Sequence, residues 1–403
     1  VALMRVAEAL GRVLAGTEPL AAQPTPLGDA HGRVLAADLV ALRTQPPADV
    51  SAMDGYAVRA GDVAKVPVKL RMVGEVAAGH PFDGTVGAGE AARIFTGGVL
   101  PAGTDAIVIQ EHTTREGDAV VVTTSAAKGK HVRVAGLDFT DRAVLLRKGR
   151  RLSDRDLALA AAMNHPTVPV HRAAKLAVLA TGDELVMPGS KADVGEIVYS
   201  NGYATMALAR REGCAIIDLG IVPDRLVETI AAVRRARELG ADILVTSGGA
   251  SVGDYDLVRN ALAAEGLALS FWKVALRPGR PLMHGRLGEM HVLGLPGNPV
   301  SAYVCAVLFL VPLIRRLAGR GDVEPALETA VLGCNLPAND ERADYLRATL
   351  APSSNGASVA TPAPLQDSSM LRPLAQADCL LVREPHAPAA EAGSPCRVLR
   401  LEI

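Results

Sequence analysis

Aromatic side chains are scarce: Phe, Trp and Tyr together make up 3% of the 403 residues, with a single tryptophan. So little stacking surface argues against a platform for single-stranded nucleic acid. An excess of one charge is lacking too, since 42 basic and 43 acidic residues leave a formal net charge of -1, and no global basic field exists to gather nucleic acid or acidic lipid. Any anion site must be local, and neither nucleic acid nor membrane is expected as a partner. The five cysteines, Cys214, Cys305, Cys334, Cys379 and Cys396, are widely spaced and form no C-x-x-C pair, which reads as buried thiols in a reducing compartment. The nine histidines are scattered without H-E-x-x-H or mixed His/Cys spacing, so no structural zinc site is expected. Long apolar runs are also missing. The longest, Tyr303 to Ile314, is about a dozen residues and includes Pro312, short of the ~20 that span a bilayer; a buried helix explains it. The N-terminal stretch V-A-L-M-R-V-A-E-A-L-G-R-V-L has apolar residues at helical spacing rather than a secretory pattern, and a cytoplasmic protein is expected.

What is present is organised in blocks, and the length suggests about two to four domains. Between Lys175 and Gly319 short apolar runs alternate with helical patterns: strands Leu176 to Ala180, Ala215 to Leu219, Ile243 to Val245, Leu269 to Leu276 and His291 to Leu295, and helices such as Asn201 to Glu212, closed by Gly213. Asp224 is expected to cap a helix running to Leu239, and Asn298-Pro299 to start another. Such alternation predicts a doubly wound, mostly parallel sheet. Val66 to Ser125 instead reads as short strands separated by glycine and proline turns, and short strands return after Arg320. The fold class is therefore multidomain α/β plus β. The division is a hinge domain (22–44 and 139–172), a β-rich insertion domain (45–138), an α/β domain (1–21 and 173–319) and a C-terminal β domain (320–403).

Three predicted strand ends of the α/β domain carry chemistry, and open α/β sheets bind ligands at that edge. After Ile243 to Val245 comes T-S-G-G-A-S-V-G-D-Y-D, in which Ser247, Gly248, Gly249 and Ser251 suit phosphate oxygens, while Asp254 and Asp256 need a divalent cation between themselves and an anion. A plain strand-to-helix turn with an Asp cap near Leu257 is the bland alternative. After Leu176 to Ala180 comes T-G-D-E, with Asp183 and Glu184; after His291 to Leu295 comes P-G-N-P-V-S, where the helix start at Asn298 favours an anion. The loop F-W-K-V-A-L-R-P-G-R-P adds Lys273, Arg277 and Arg280, cations suited to phosphate or a tetrahedral metal oxide. Asp54 in S-A-M-D-G-Y-A, Thr96 in I-F-T-G-G and Asp138 in R-V-A-G-L-D add weaker signals, and periodicity offers no way to bring them to the sheet edge.

In this order the motifs resemble the molybdopterin molybdenumtransferases, the bacterial MoeA proteins and the C-terminal domain of gephyrin. The resemblance runs from S-A-M-D-G-Y-A-V through T-G-D-E-L, T-S-G-G-A-S-V-G-D-Y-D, F-W-K and R-P-G-R-P to G-L-P-G-N-P-V-S and spans nearly the whole chain. It implies a molybdopterin-binding type of α/β domain, an elongated homodimer, and insertion of molybdate into adenylated molybdopterin with Mg2+-dependent hydrolysis of the adenylate, giving AMP and molybdenum cofactor. The adenylyltransferase that supplies the substrate and downstream molybdoenzyme chaperones are the implied protein partners. By the same resemblance Ser251 and Asp256 belong to the adenylate and metal site, with Glu184 the second metal carboxylate and Asp224 a neighbouring acid. Ser247, Gly248, Gly249, Pro281, Gly297 and Asn298 contact the substrate, and Lys273, Arg277, Arg280 and Ser301 match its anion-binding loops. Asp54, Thr96 and Asp138 match positions that reach the cleft from the partner subunit. Arg342 or Arg347, with Ser368 or Ser369, resembles the C-terminal part of the molybdate site. The chain departs where the family often reads K-P-G-K: Arg277 and Arg280 keep the charge but bring larger, forked donors. Two other readings of the same residues are an adenylyltransferase that makes the adenylated pterin, and a non-catalytic scaffold.

Overall fold

The structure is a computed structural model, and it describes residues 3–248, 257–353 and 356–401. In the α/β region, Lys175–Thr181, Ile243–Ser247 and Met290–Leu295 are buried at almost every position, the pattern of strands covered on both faces. Alternate side chains feed two cores. Leu176, Val178, Ile243, Val245, Leu293 and Leu295 pack with Asn201–Arg211, the N-terminal helix Val6–Leu14 and the apolar helix after Pro299. Ala177, Leu179, Leu244 and Val292 pack on the opposite side with Leu226–Glu238 and Leu257–Ala264. Each fully buried Leu, Ile or Val contributes roughly 1.5–3 kcal/mol of transfer free energy, so burial on both faces anchors these strands at the centre of the domain.

The sheet runs in the order Ala215–Val222, Lys175–Thr181, Ile243–Ser247, Met290–Leu295, Met283–Leu287, Ala268–Trp272. Its first four strands are parallel, Met283–Leu287 runs against them, and Ala268–Trp272, antiparallel to that strand, runs with the first four again. Thr181 and Ser247 therefore end at the same edge, with Leu295 beside them. That is the edge from which the T-G-D-E, glycine-rich and P-G-N-P loops depart.

Two local expectations need correction. The run Leu269 to Leu276 is not one strand. It ends at Trp272, Lys273 takes a left-handed φ of 80°, and Leu276–Arg277 pairs instead with Ala343 and Asp344 in the C-terminal sheet. A left-handed residue cannot continue a pleated strand, so the basic loop is carried out of the α/β sheet. Asp224 caps no helix: Leu226–Glu238 begins behind Arg225 without a side-chain cap.

The apolar helix is longer than the sequence run suggested. Pro299–Cys305, a π turn at Ala306–Leu310 and Val311–Leu317 form one continuous stretch, long and apolar enough to cross a membrane, but 83% of its most apolar window is buried inside the protein. It is a core helix. Its far end joins a buried ion-pair cluster: Glu212, with its side chain 1% exposed, accepts from Arg315 at 3.1 Å and from Arg320 at 2.6 Å.

Elsewhere, Ala22–Pro26 pairs with Thr167–His171 and Leu39–Val40 with Val144–Leu146. A six-stranded mixed sheet is built from Gly55–Val58, Val68–Val76, Glu90–Ile94, Ala106–Ile109, Thr113–Glu116 and Ala119–Val122. After Leu327, five strands close on themselves, because Ala343–Pro352 pairs with both Ser358–Pro362 and Cys379–Arg383. Closure removes exposed edges. Cys214, Cys305 and Cys379 are buried, whereas Cys334 and Cys396 are only half-buried; burial pushes the Cys214 and Cys379 thiols up to about 12.

Candidate functional site

The strand ends open into a cavity of about 440 Å3. Glu184 from the T-G-D-E loop, Ser247 and Gly248 from the glycine-rich loop, Gly297 and Asn298 from P-G-N-P, and Ser369 from the C-terminal β region all line it. Three loops separated in sequence meet because their parent strands are hydrogen-bonded neighbours. Gly248 is required locally: its φ is 97°, and a Cβ there would lie 2.4 Å from the carbonyl oxygen of Thr181. Without a side chain the backbone passes over the end of the adjacent strand.

The C-terminal β region closes one wall. Asn298, expected to cap its helix, instead donates from Nδ2 to Ser368 Oγ at 2.8 Å, and the Val300 N–H donates to the Ser368 carbonyl at 3.1 Å. One of the helix-start donors expected to face an anion is therefore used in docking. Ser301 lies in the first turn of this helix and is buried.

On the acidic side, the Asp224 N–H donates to Asp183 Oδ1 at 3.1 Å. Lost solvation, and then the charges of Asp183 and Glu184, push the Asp224 carboxyl up. Below the ordinary carboxylate range Asp224 is neutral whether folded or not, and as pH rises through the folded value its charge is formed against repulsion, so stability is lost toward neutral pH. Asp224→Asn should therefore unfold at higher denaturant concentration than the parent at pH 7 and match it near pH 3; equal midpoints at pH 7 would remove the repulsion from the account.

Several expected residues lie elsewhere. Arg277 Nε donates to Asp344 Oδ1 at 2.7 Å, and its terminal nitrogens reach Asp344, Asp340 and Asn339. It lines a separate cavity of about 390 Å3 with Asn339 and Arg383, because the strand break at Lys273 carries it away from Glu184. Its charge is already matched by carboxylates. Arg342 is paired with Asp340 at 2.7 Å. Arg347, read as an anion ligand, is 1% exposed and donates to Gln366 Oε1 at 3.1 Å and the Asp367 carbonyl at 2.6 Å; it supports the loop that carries Ser368 and Ser369. Lys273 places Nζ 4.4 Å from the Trp272 ring centroid, and Arg280 is exposed beside Pro281. Asp54 and Thr96 do come together: Asp54 Oδ1 accepts from the Thr96 N–H at 2.7 Å and hydroxyl at 2.8 Å, bonds that pull its carboxyl below the ordinary range. Neither they nor the exposed Asp138 line the 440 Å3 cavity. Gly249, Ser251 and Asp256 lie outside the described residues.

Two residues without a recognised motif, Asn201 and Tyr199, also belong to the site. By sequence pattern Asn201 is a helix start, yet its amide reaches two rim loops. Tyr199 is a buried cavity residue whose hydroxyl has no partner among the described residues. The stretch Y-S-N-G, a polar break before a helical pattern, was the available signal.

Residues 4–164 match the MoeA N-terminal region (domain I and II), 177–316 a "Probable molybdopterin binding domain", and 329–401 the MoeA C-terminal region (domain IV). A molybdopterin molybdenumtransferase of Haemophilus influenzae is 34% identical over 369 residues, covering 91% of each chain. One of Nostoc sp. is 40% identical over 297 residues, covering 72% of this chain and 68% of its own. The crystal structure of a molybdopterin biosynthesis MoeA protein from Pyrococcus horikoshii is 29% identical and superposes with a TM-score of 0.85 over 100% of both chains. With the ordered motifs, the converging loops and these matches along the chain, the protein belongs to the molybdopterin molybdenumtransferase family.

Proposed function

We propose that the chain inserts molybdate into adenylated molybdopterin, with Mg2+-dependent hydrolysis of the adenylate releasing AMP and molybdenum cofactor. The observation that carries this reading is the cavity in which Glu184, Ser247, Gly248, Asn298 and Ser369 converge from separate loops. Hydroxyl and main-chain donors on one side and the Glu184 carboxylate on the other suit a phosphate accompanied by a cation. Among the described residues no three carboxylates, histidines or cysteines converge closely enough to hold a metal ion by themselves. Mg2+ commonly uses one or two carboxylates and completes its shell with water and substrate phosphate, so Glu184 with Asp256 is a fitting donor set. When bound, Mg2+ would neutralise phosphate charge and relieve the repulsion felt by Asp224.

In this reading Ser247 and Gly248 orient the phosphoryl link, Lys273, Arg280 and Ser301 hold the oxyanion side, and Ser369 belongs to the molybdate wall. Asp54, Thr96 and Asp138 serve the cavity of a second copy in a homodimer, in keeping with an ionised carboxylate held away from its own chain's cavity. The same reading keeps the four-part division given above, a cytoplasmic setting, and the supplying adenylyltransferase and molybdoenzyme chaperones as partners. The test measures AMP release and active cofactor formation from adenylated molybdopterin, molybdate and Mg2+. Glu184→Gln should slow AMP release about 100-fold. Release that is unaffected by this substitution and by EDTA would overturn the assignment.

A further inference from the structure

Asn201 is half-buried at the start of Asn201–Arg211 and lines the cavity beside Ser247 and Gly297. Its side-chain nitrogen donates to Ser247 Oγ at 3.1 Å and to the Gly297 carbonyl at 2.7 Å. A carbonyl oxygen only accepts, so the atom 2.7 Å away must be the NH2 group, and its two hydrogens serve the two partners. The bond to Ser247 turns a hydroxyl lone pair toward Asn201 and leaves the hydroxyl hydrogen available for another acceptor. The bond to Gly297 occupies a carbonyl whose negative end would otherwise repel an anion at the rim. Ser247 is 4% exposed, so its orientation is set by the protein rather than by bulk water.

From these contacts we propose that Asn201 is a positioning residue that gives the rim its donor polarity, making Ser247 a hydrogen-bond donor to a phosphate oxygen and masking the Gly297 acceptor. The inference rests on the adenylate reading above and adds a residue that acts through its neighbours. It concerns charge recognition, not general integrity of the fold.

Binding of AMP and of adenosine, which shares the base and sugar without the phosphate, separates the two. In the full chain, Asn201→Ala should weaken AMP about tenfold and Asn201→Asp, which adds a carboxylate at the same place, about a hundredfold. Adenosine affinity and the thermal midpoint should stay close to those of the parent. Unchanged AMP affinity in both variants overturns the proposal, as does an equal loss for AMP and adenosine, which marks a merely structural role. A parent chain that does not bind AMP removes the adenylate reading and this inference with it, whereas a parent that binds AMP alongside indifferent variants removes the inference alone.

Discussion

Glu212→Ala is expected to cost about 3–5 kcal/mol of stability, because it leaves buried guanidinium groups without their carboxylate. Arg315 and Arg320 have side chains only 12% and 9% exposed, and both donate to Glu212. Asp322 also pairs with Arg320, but its own side chain is 64% exposed, so screening by water weakens that contact. Neither arginine can shed its proton to escape the penalty. The cluster ties Asn201–Arg211, which reaches the cavity, to the end of the long core helix and to the connection into the C-terminal strands. Denaturant unfolding should show the loss, and Glu212→Gln, which keeps an acceptor without the charge, should fall between. A shift under 1 kcal/mol for the alanine variant would show that water replaces the carboxylate freely.

Arg347→Leu should lower stability by about 3 kcal/mol and open the C-terminal wall of the cavity. Burial works against the cation and pulls the Arg347 value down, yet the side chain is retained because it satisfies Gln366 Oε1 and the Asp367 carbonyl together. Leucine fills similar space but loses two charge-assisted bonds, worth about 1.5–3 kcal/mol each; the loss is tempered because Gln366 Oε1 keeps the main-chain N–H of residue 347 at 3.0 Å and Asp367 is exposed to water. Lysine restores the charge without the planar fork, so Arg347→Lys should recover only part of the loss. If Arg347 were instead a direct anion ligand, unfolding midpoints would stay put while only binding weakened.

Much of the α/β architecture was readable because two-sided burial writes continuous apolar strands into the sequence. Ile243 to Val245 and His291 to Leu295 are such runs, and glycines follow where the chain must turn. The P-G-N-P loop was readable for the same reason. Gly55–Val58 was harder: M-D-G-Y-A contains a strong turn signal, and cross-strand pairing with Glu90–Ile94 and Ala106–Ile109 overrides it. The fate of Arg277 was hidden because it depends on one left-handed residue, Lys273, and on carboxylates more than sixty positions away. Basic residues near a proline-glycine turn looked alike in sequence, but tertiary pairing divides them into the matched Arg277 and the exposed Arg280.

The π turn at Ala306–Leu310 has a geometric consequence. It ends two residues before Pro312, whose ring removes the N–H that an α-helix would direct one turn back. A widened turn accommodates an extra residue, and each residue of an α-helix advances the azimuth by about 100°. The half of the helix that contains Arg315 is thereby rotated relative to the half that begins at Pro299, like a screw re-cut midway. One end meets the ligand rim while the other aims its guanidinium at Glu212.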